Sequence, residues 1–359
     1  MVYWQDRIPD EPWSLHVLKI DRTQPDLQLV TGIARNTVLG LAPLSSMIRS
    51  VPKTLGRPVA GINGDFYEVE RGSFAGDPRG IQILNGELVS GPGDQQSFWI
   101  DAQGNPQTGL VTSRFSLTWP DGTKSPVKLN EQRGLKEIVL YTPRLGATTQ
   151  TPGGREVVLE NPGNGPWLPL AAGQTYRARI VSVSDSGNTP LSGGKLVLSF
   201  GPKVSRAATL EVGATLTIST STDPELTGVQ TAIGGGNLIV HEGQAQRFQM
   251  TANGAYKYRS VIERHPRSAV GFSATHLFLV LVDGRQPELS VGMTLEELGR
   301  YMQKLGCEEA INLDGGGSST LWIDGRIVNS PCNGGERDIG NALILVRKPG
   351  PGMGSAATP

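Results

Sequence analysis

Cysteine and histidine are scarce in this chain of 359 residues, which has two of the first and four of the second. Cys307 and Cys332 are too few for a disulfide scaffold or a cysteine zinc site. They leave room for one bridge, bonded or not, between the flanks of a single glycine-rich motif. The histidines (His16, His241, His265, His276) form no H-E-x-x-H, so zincins lose support. G-x-S-x-G, the P-loop pattern and a G-x-G-x-x-G opening a helix are also missing, which disfavours ordinary serine hydrolases, P-loop enzymes and Rossmann dehydrogenases. Charge of one sign is lacking too: 33 Lys and Arg face 33 Asp and Glu. A broad nucleic-acid footprint or a membrane-binding surface needs a basic excess, so no nucleic-acid partner is expected and any anion must be held by a few placed arginines. The longest strongly apolar run, Leu277 to Val282, is six residues, against about 20 for a membrane-spanning helix.

Glycine and proline are abundant, at 47 and 25 residues. Spread without a period, they indicate many tight turns between short strands. The expected fold is α+β, a mixed β-sheet core with few helices and a β-rich insertion. Residues 1–105 read as the first part of the core, with alternating strands ("WSLHVLKIDR", "LQLVTGIA") and a short helix ("LAPLSSMIRSV"). Residues 106–226 are almost purely β and read as the insertion. Residues 227–348 return to the mixed texture, and 349–359 read as a flexible tail. One clear helix starts at Thr294, where Thr294 and Glu297 make a capping box and Gly306 a stop. Its stripe of Leu295, Leu298, Met302 and Leu305 is core packing. Hairpin turns are expected at Asn85-Gly86, Glu242-Gly243 and Asp324-Gly325.

The chemistry concentrates at strand ends. In "AINLDGGGSSTLW" a short apolar strand puts Asn312 and Asp314 on one face. Gly315, Gly316 and Gly317 then allow a sharp turn whose N–H groups could form an anion nest, with Ser318 adding a hydroxyl. "GINGDFY" repeats the pattern Ile-Asn-x-Asp with Asn63 and Asp65. Two such ends suggest one site with two carboxylates and two amides. Paired carboxylates suit glycosyl transfer to water, and they equally suit a hard cation such as Ca²⁺ or Mg²⁺. Neither ion is required by this reading. "RHPRSAVGFS", "LFLVLVDGR" and "GGERDIGNALIL" add Arg267, Asp283, Arg285, Arg337 and Asn341, the arginines being suited to bidentate phosphate contacts.

Together "GINGDFY", "AIGGG", "HPRSAVG", "VDGR", "INLDGGGSSTL" and "RDIGNALIL" resemble the phosphodiester glycosidase family, in the family's order. "LNEQRGLKEIVLYTP" is similar to a stretch inserted in its bacterial members. The resemblance implies an α+β fold, a carbohydrate phosphodiester substrate and hydrolysis at the anomeric carbon. For such a reaction a carboxylate must stabilise the oxocarbenium-like centre, and Asp314 is the expected nucleophile or base with Asp65 its partner. The resemblance assigns substrate binding to Asn63, Gly235, Gly236, Arg267, Asp283, Arg285, Asn312, Gly315, Gly316, Gly317, Ser318, Arg337 and Asn341. The cysteine-rich appendages and membrane anchor of animal members are not in this sequence, so its substrate need not be theirs. An extracytoplasmic substrate implies an exported protein, periplasmic or cell-surface, although Met1-Val2-Tyr3-Trp4 does not begin a signal peptide. A glycan-binding envelope protein without turnover and a metal-dependent phosphodiesterase cutting the P–O bond are the rival readings.

Overall fold

The structure is a computed structural model and describes residues 1–70, 72–163, 165, 167–248 and 260–349. The expected tail lies outside them apart from its first residue, Pro349. Strands dominate, as the glycine and proline content implied, and form four sheets. The registered pairs are antiparallel except Lys128–Leu129 on Ile138–Tyr141.

The core is a sandwich of a seven-stranded and a five-stranded sheet. Strand His276–Val282 lies inside the first, between Trp13–Asp21 and Arg267–Phe272. Its Leu277, Leu279 and Leu281 face the five-stranded sheet, packing with Ile62 and Leu343. Its Phe278, Val280 and Val282 face the helix Leu295–Lys304 through Leu298 and Met302. Burial on both faces explains why this strand is the longest apolar run in the sequence. The five-stranded sheet is covered on its outer face by the short helix Leu44–Arg49. The longer helix carries the expected capping box: the Glu297 amide donates to Thr294 Oγ1 at 3.1 Å, and the Thr294 amide donates to Glu297 Oε2 at 2.8 Å.

Strands Pro106–Ser113 and Thr222–Asp223 sit in the six-stranded sheet beside Gln95–Ile100. The eight-stranded sheet is built from residues between Ser116 and Ser219. A continuous apolar cluster joins these two sheets, with Ile83, Leu88 and Trp99 packing in the same group as Leu117, Leu140 and Phe200. Asn85-Gly86, Glu242-Gly243 and Asp324-Gly325 all adopt left-handed φ at both positions, the geometry that two-residue hairpins of this hand require. Cys307 and Cys332 are both free. Burial raises the Cys307 thiol to about 12. No described helix is long and apolar enough to cross a membrane.

Candidate active site

The two Ile-Asn-x-Asp segments end strands of different sheets, Arg57–Asn63 in the five-stranded and Glu309–Asn312 in the seven-stranded. They meet at one end of the sandwich. Asn63 Nδ2 donates to the carbonyl of Asp314 at 2.7 Å, and the Asp314 amide donates to the carbonyl of Gly64 at 2.9 Å. Asn63 Oδ1 accepts from Ser268 Oγ at 2.7 Å and from the Thr320 amide at 3.1 Å. Asn63 is therefore a buried bracket between the sheets and does not face the cleft. Asn312 brackets similarly, its Oδ1 accepting from the Asn237 amide at 2.7 Å, but it also lines the cleft. Asn341 Oδ1 accepts from the Asp65 amide at 2.7 Å.

The carboxylates have different settings. Asp314 is half-buried and lines a cleft of about 990 Å³. Its Oδ1 accepts from the Gly315 amide at 2.9 Å. Burial raises its pKa, while Ser318, the Gly315 amide, Arg337 and Arg79 oppose the rise. Asp65 lies beneath the cleft floor, 2% exposed. Its Oδ2 accepts from the Gly80 amide at 2.7 Å and its Oδ1 from the Phe66 amide at 2.7 Å. Gln95 Nε2 reaches both oxygens, at 3.1 and 3.3 Å. Burial pushes Asp65 up to about 8 against the pull of the two amides, with the Asp314 charge adding to the rise. A Cβ on Gly234 would sit 2.4 Å from Asp65 Oδ2, so the strand beside it must be bare at that point.

The glycine turn carries the chain from one sheet to the other, leading into strand Leu321–Ile323, which pairs with Arg57–Asn63. It is not an open nest. The Gly315 amide serves Asp314, the Gly316 amide donates to the Pro266 carbonyl at 2.9 Å, and the Ser318 amide turns back to Gly315. The glycines are needed for close approach: Gly316 has φ +61, and a Cβ there would stand 3.1 Å from the Arg285 guanidinium. Gly317 and its neighbour Ser318 are buried. Ser318 Oγ lies near Asp314 and Tyr67, without closing a hydrogen bond in this rotamer.

The three arginines of the motifs do not act alike. Arg285 is exposed at the cleft, 3.4 Å from His265 Nδ1. Arg267 lines the cleft but is 6% exposed, its guanidinium donating to the carbonyls of Met293, Glu263 and Ser260. Burial and the Arg285 charge lower it to about 10. Arg337 does not line the cleft; its guanidinium lies 5.6 Å over the Tyr67 ring. Asp283 is also away from the cleft. Its carboxylate accepts from His16 Nε2 at 2.9 Å, Ser14 Oγ at 3.0 Å and the Ser330 amide at 2.9 Å, which ties the loop after the glycine hairpin to the sheet. Gly236 lines the cleft and Gly235 supports it, their amides donating to Asn312 O and Gln96 O.

Several cleft residues escaped the sequence reading. Arg79 is exposed at the cleft and acts on both Asp65 and Asp314. Gln95, Asp77, Glu131 and His265 also line it. His265 belongs to the segment "RHPRSAVGFS" beside Arg267; burial, Arg267 and Arg285 lower its pKa. Asp77, raised to about 8 by burial and by Glu131 and Glu68, has a buried Oδ1 with no hydrogen-bond partner. Among the described residues no three His, Cys, Asp or Glu side chains group as a metal-ligand set.

A phosphodiester glycosidase family model matches residues 172–346. The N-acetylglucosamine-1-phosphodiester alpha-N-acetylglucosaminidase of Bos taurus is 33% identical over 109 residues, 30% of this chain and 20% of that protein. The aligned part thus spans about a fifth of that relative's length. The crystal structure of a hypothetical protein from Synechocystis has a TM-score of 0.74 at 21% identity, covering 96% of this chain and 61% of that one. A Burkholderia pseudomallei protein described as exported gives 0.71 at 22%, covering 93% and 74%. These structures share the fold. Asn63 and Asp65 fall outside the family-model match and join the site only through the sandwich. Over residues 172–346, which carry Asp314, Arg285 and the glycine turn, the chain is similar to the phosphodiester glycosidase family.

Proposed function

We propose that the chain is a hydrolase that cleaves the bond between a sugar's anomeric carbon and a phosphodiester. The observation that carries this reading is the pairing, in one cleft, of the half-buried Asp314 carboxylate with the exposed cations Arg79 and Arg285. The departing group is a phosphate monoester, a good leaving group, so the reaction needs little protonation of the departing oxygen. It needs a carboxylate against the oxocarbenium-like carbon and cations against the phosphate. Asp314 supplies the first and acts as nucleophile or base. Arg285 and Arg79 supply the second. Asp65 is a positioning residue, since it holds Gly80 and Phe66 beneath the floor and does not reach the cleft. Arg267 fixes the His265 loop through backbone carbonyls. An exported location suits the substrate class, and the likeness to an exported protein supports it. The free state of both cysteines removes them as an argument for it.

Turnover of a panel of sugar-1-phosphodiesters in oxygen-18 water tests the reading. Label is expected in the released sugar. Label in the phosphate would mean P–O cleavage and a phosphodiesterase.

A further inference from the structure

We propose that the chain has a second binding site, a cationic groove for the phosphate-bearing strand of a glycan. It lies at the opposite end of the five-stranded sheet from the cleft. Strands Arg57–Asn63 and Asn341–Arg347 pair with Arg57 beside Arg347 at one end and Asn63 beside Ala342 at the other. Seven residues of strand separate the two ends by roughly 20 Å.

The groove has a volume of about 630 Å³ and gathers Arg49, Lys53, Arg57, Arg347 and Lys348 from segments that are remote in sequence. All five are exposed. Two acids answer them: Asp324 stands 3.6 Å from Arg57, and Asp26 pairs with Arg347. Five cations less two acids leave a local charge of +3 on a chain whose formal net charge is zero. Arg49, Lys53 and Lys348 make no ion pair among the described residues. These three cations are free to meet an anion.

The cations surround a shallow, open depression whose lining includes Ile48 and the half-buried Trp322. A sugar strand can lay its apolar C–H face on the indole. The choice of phosphate as the anion rests on the proposed substrate. The strand would thus be held at two places, its cleavable bond in the cleft and a further phosphate in the groove.

The test is titration calorimetry of the full chain with soluble phosphomannan, dephosphorylated mannan and phosphatidylglycerol vesicles. The variant is Arg49→Ser/Lys53→Ser/Lys348→Ser, which leaves no acid unpaired. Wild type should bind phosphomannan, more weakly as salt rises, and bind mannan and vesicles poorly. The variant should lose about tenfold in affinity, the loss expected of three exposed ion pairs, and keep wild-type kcat/KM on a small sugar-1-phosphodiester. Unchanged phosphomannan affinity in the variant, equal binding of mannan, or preference for vesicles would overturn the groove. Both chains carry Asp314→Asn in the calorimetry so that binding is read without turnover; a wild-type protein inactive on every sugar-1-phosphodiester, beside a tenfold loss in the calorimetry, refutes the hydrolase reading and supports the groove.

Discussion

Replacing Asp314 by Asn separates catalysis from structure because burial disfavours charge there while the volume and the acceptor oxygen are kept. Burial raises the Asp314 pKa, so ionising this carboxyl costs folding free energy at neutral pH, and an uncharged isostere escapes that cost. The hydrogen bond that its carboxylate accepts from the Gly315 amide, at 2.9 Å, can be kept by the Asn oxygen. The Asn amide can donate to Ser318 Oγ, which lacks a partner. Stability should therefore change by less than about 1 kcal/mol in either direction, roughly 2–4 °C in Tm. Turnover should fall by about 10² to 10⁴, or about 3 to 5 kcal/mol of transition-state stabilisation. The assay is kcat on a sugar-1-phosphodiester beside a thermal melt of the same preparation. A variant with a normal melt and wild-type kcat would refute the catalytic role. A melt lowered by 10 °C or so (about 3 kcal/mol by the same scaling) would show that the carboxylate is structural.

The remaining predictions concern charge. Arg285→Lys and Arg79→Lys should each raise KM or lower kcat several-fold, since the charge stays but the bidentate fork is lost; normal kinetics in both would place the phosphate elsewhere. Asp77→Asn should alter the pH dependence of stability. Asp77 stays protonated in the fold up to about pH 8 but ionises near pH 4 when unfolded. Its contribution is fully present below about pH 4 and is lost as pH rises toward 8, by up to about 1.4 kcal/mol per unit. The variant's Tm, measured against wild type, should thus improve steadily from pH 5 to pH 8; a constant difference would show Asp77 ionised throughout.

What could be read from the sequence was local. The capping box at Thr294, the left-handed hairpin turns and the doubly buried strand at Leu277–Val282 each arise from a few adjacent residues and appear in the structure. Arg79, Asp77 and Glu131 come from other loops and Gln95 from the start of strand Gln95–Ile100, and nothing adjacent to them marks a site. They reach the cleft through sheet packing. Arg267, Arg337 and Asp283 show the converse limit. A charged side chain beside a strand end serves equally as a ligand contact or as a bracket, and only its partners decide which. Arg267 meets three backbone carbonyls, Arg337 a tyrosine ring and the charge of Asp314, and Asp283 a histidine, a serine and an amide.

The twin Ile-Asn-x-Asp motifs make the same point within one site. In both, the asparagine has the same task, bonding to backbone across a junction: Asn63 to Asp314 and Thr320, Asn312 to Asn237. The aspartates diverge because the residues after them differ. After Asp65 comes Phe66, and the chain returns through Gly80 to lay an amide on the carboxylate, with Gln95 reaching it as well. After Asp314 come three glycines, which turn away under Arg285 without covering it. One carboxylate is sealed and organises the floor; the other stays open to the cleft. The glycine run, which resembled an anion nest, spends its Gly315 and Gly316 amides within the chain and leaves Asp314 uncovered, so in the proposed reaction it is the arginines that would meet phosphate.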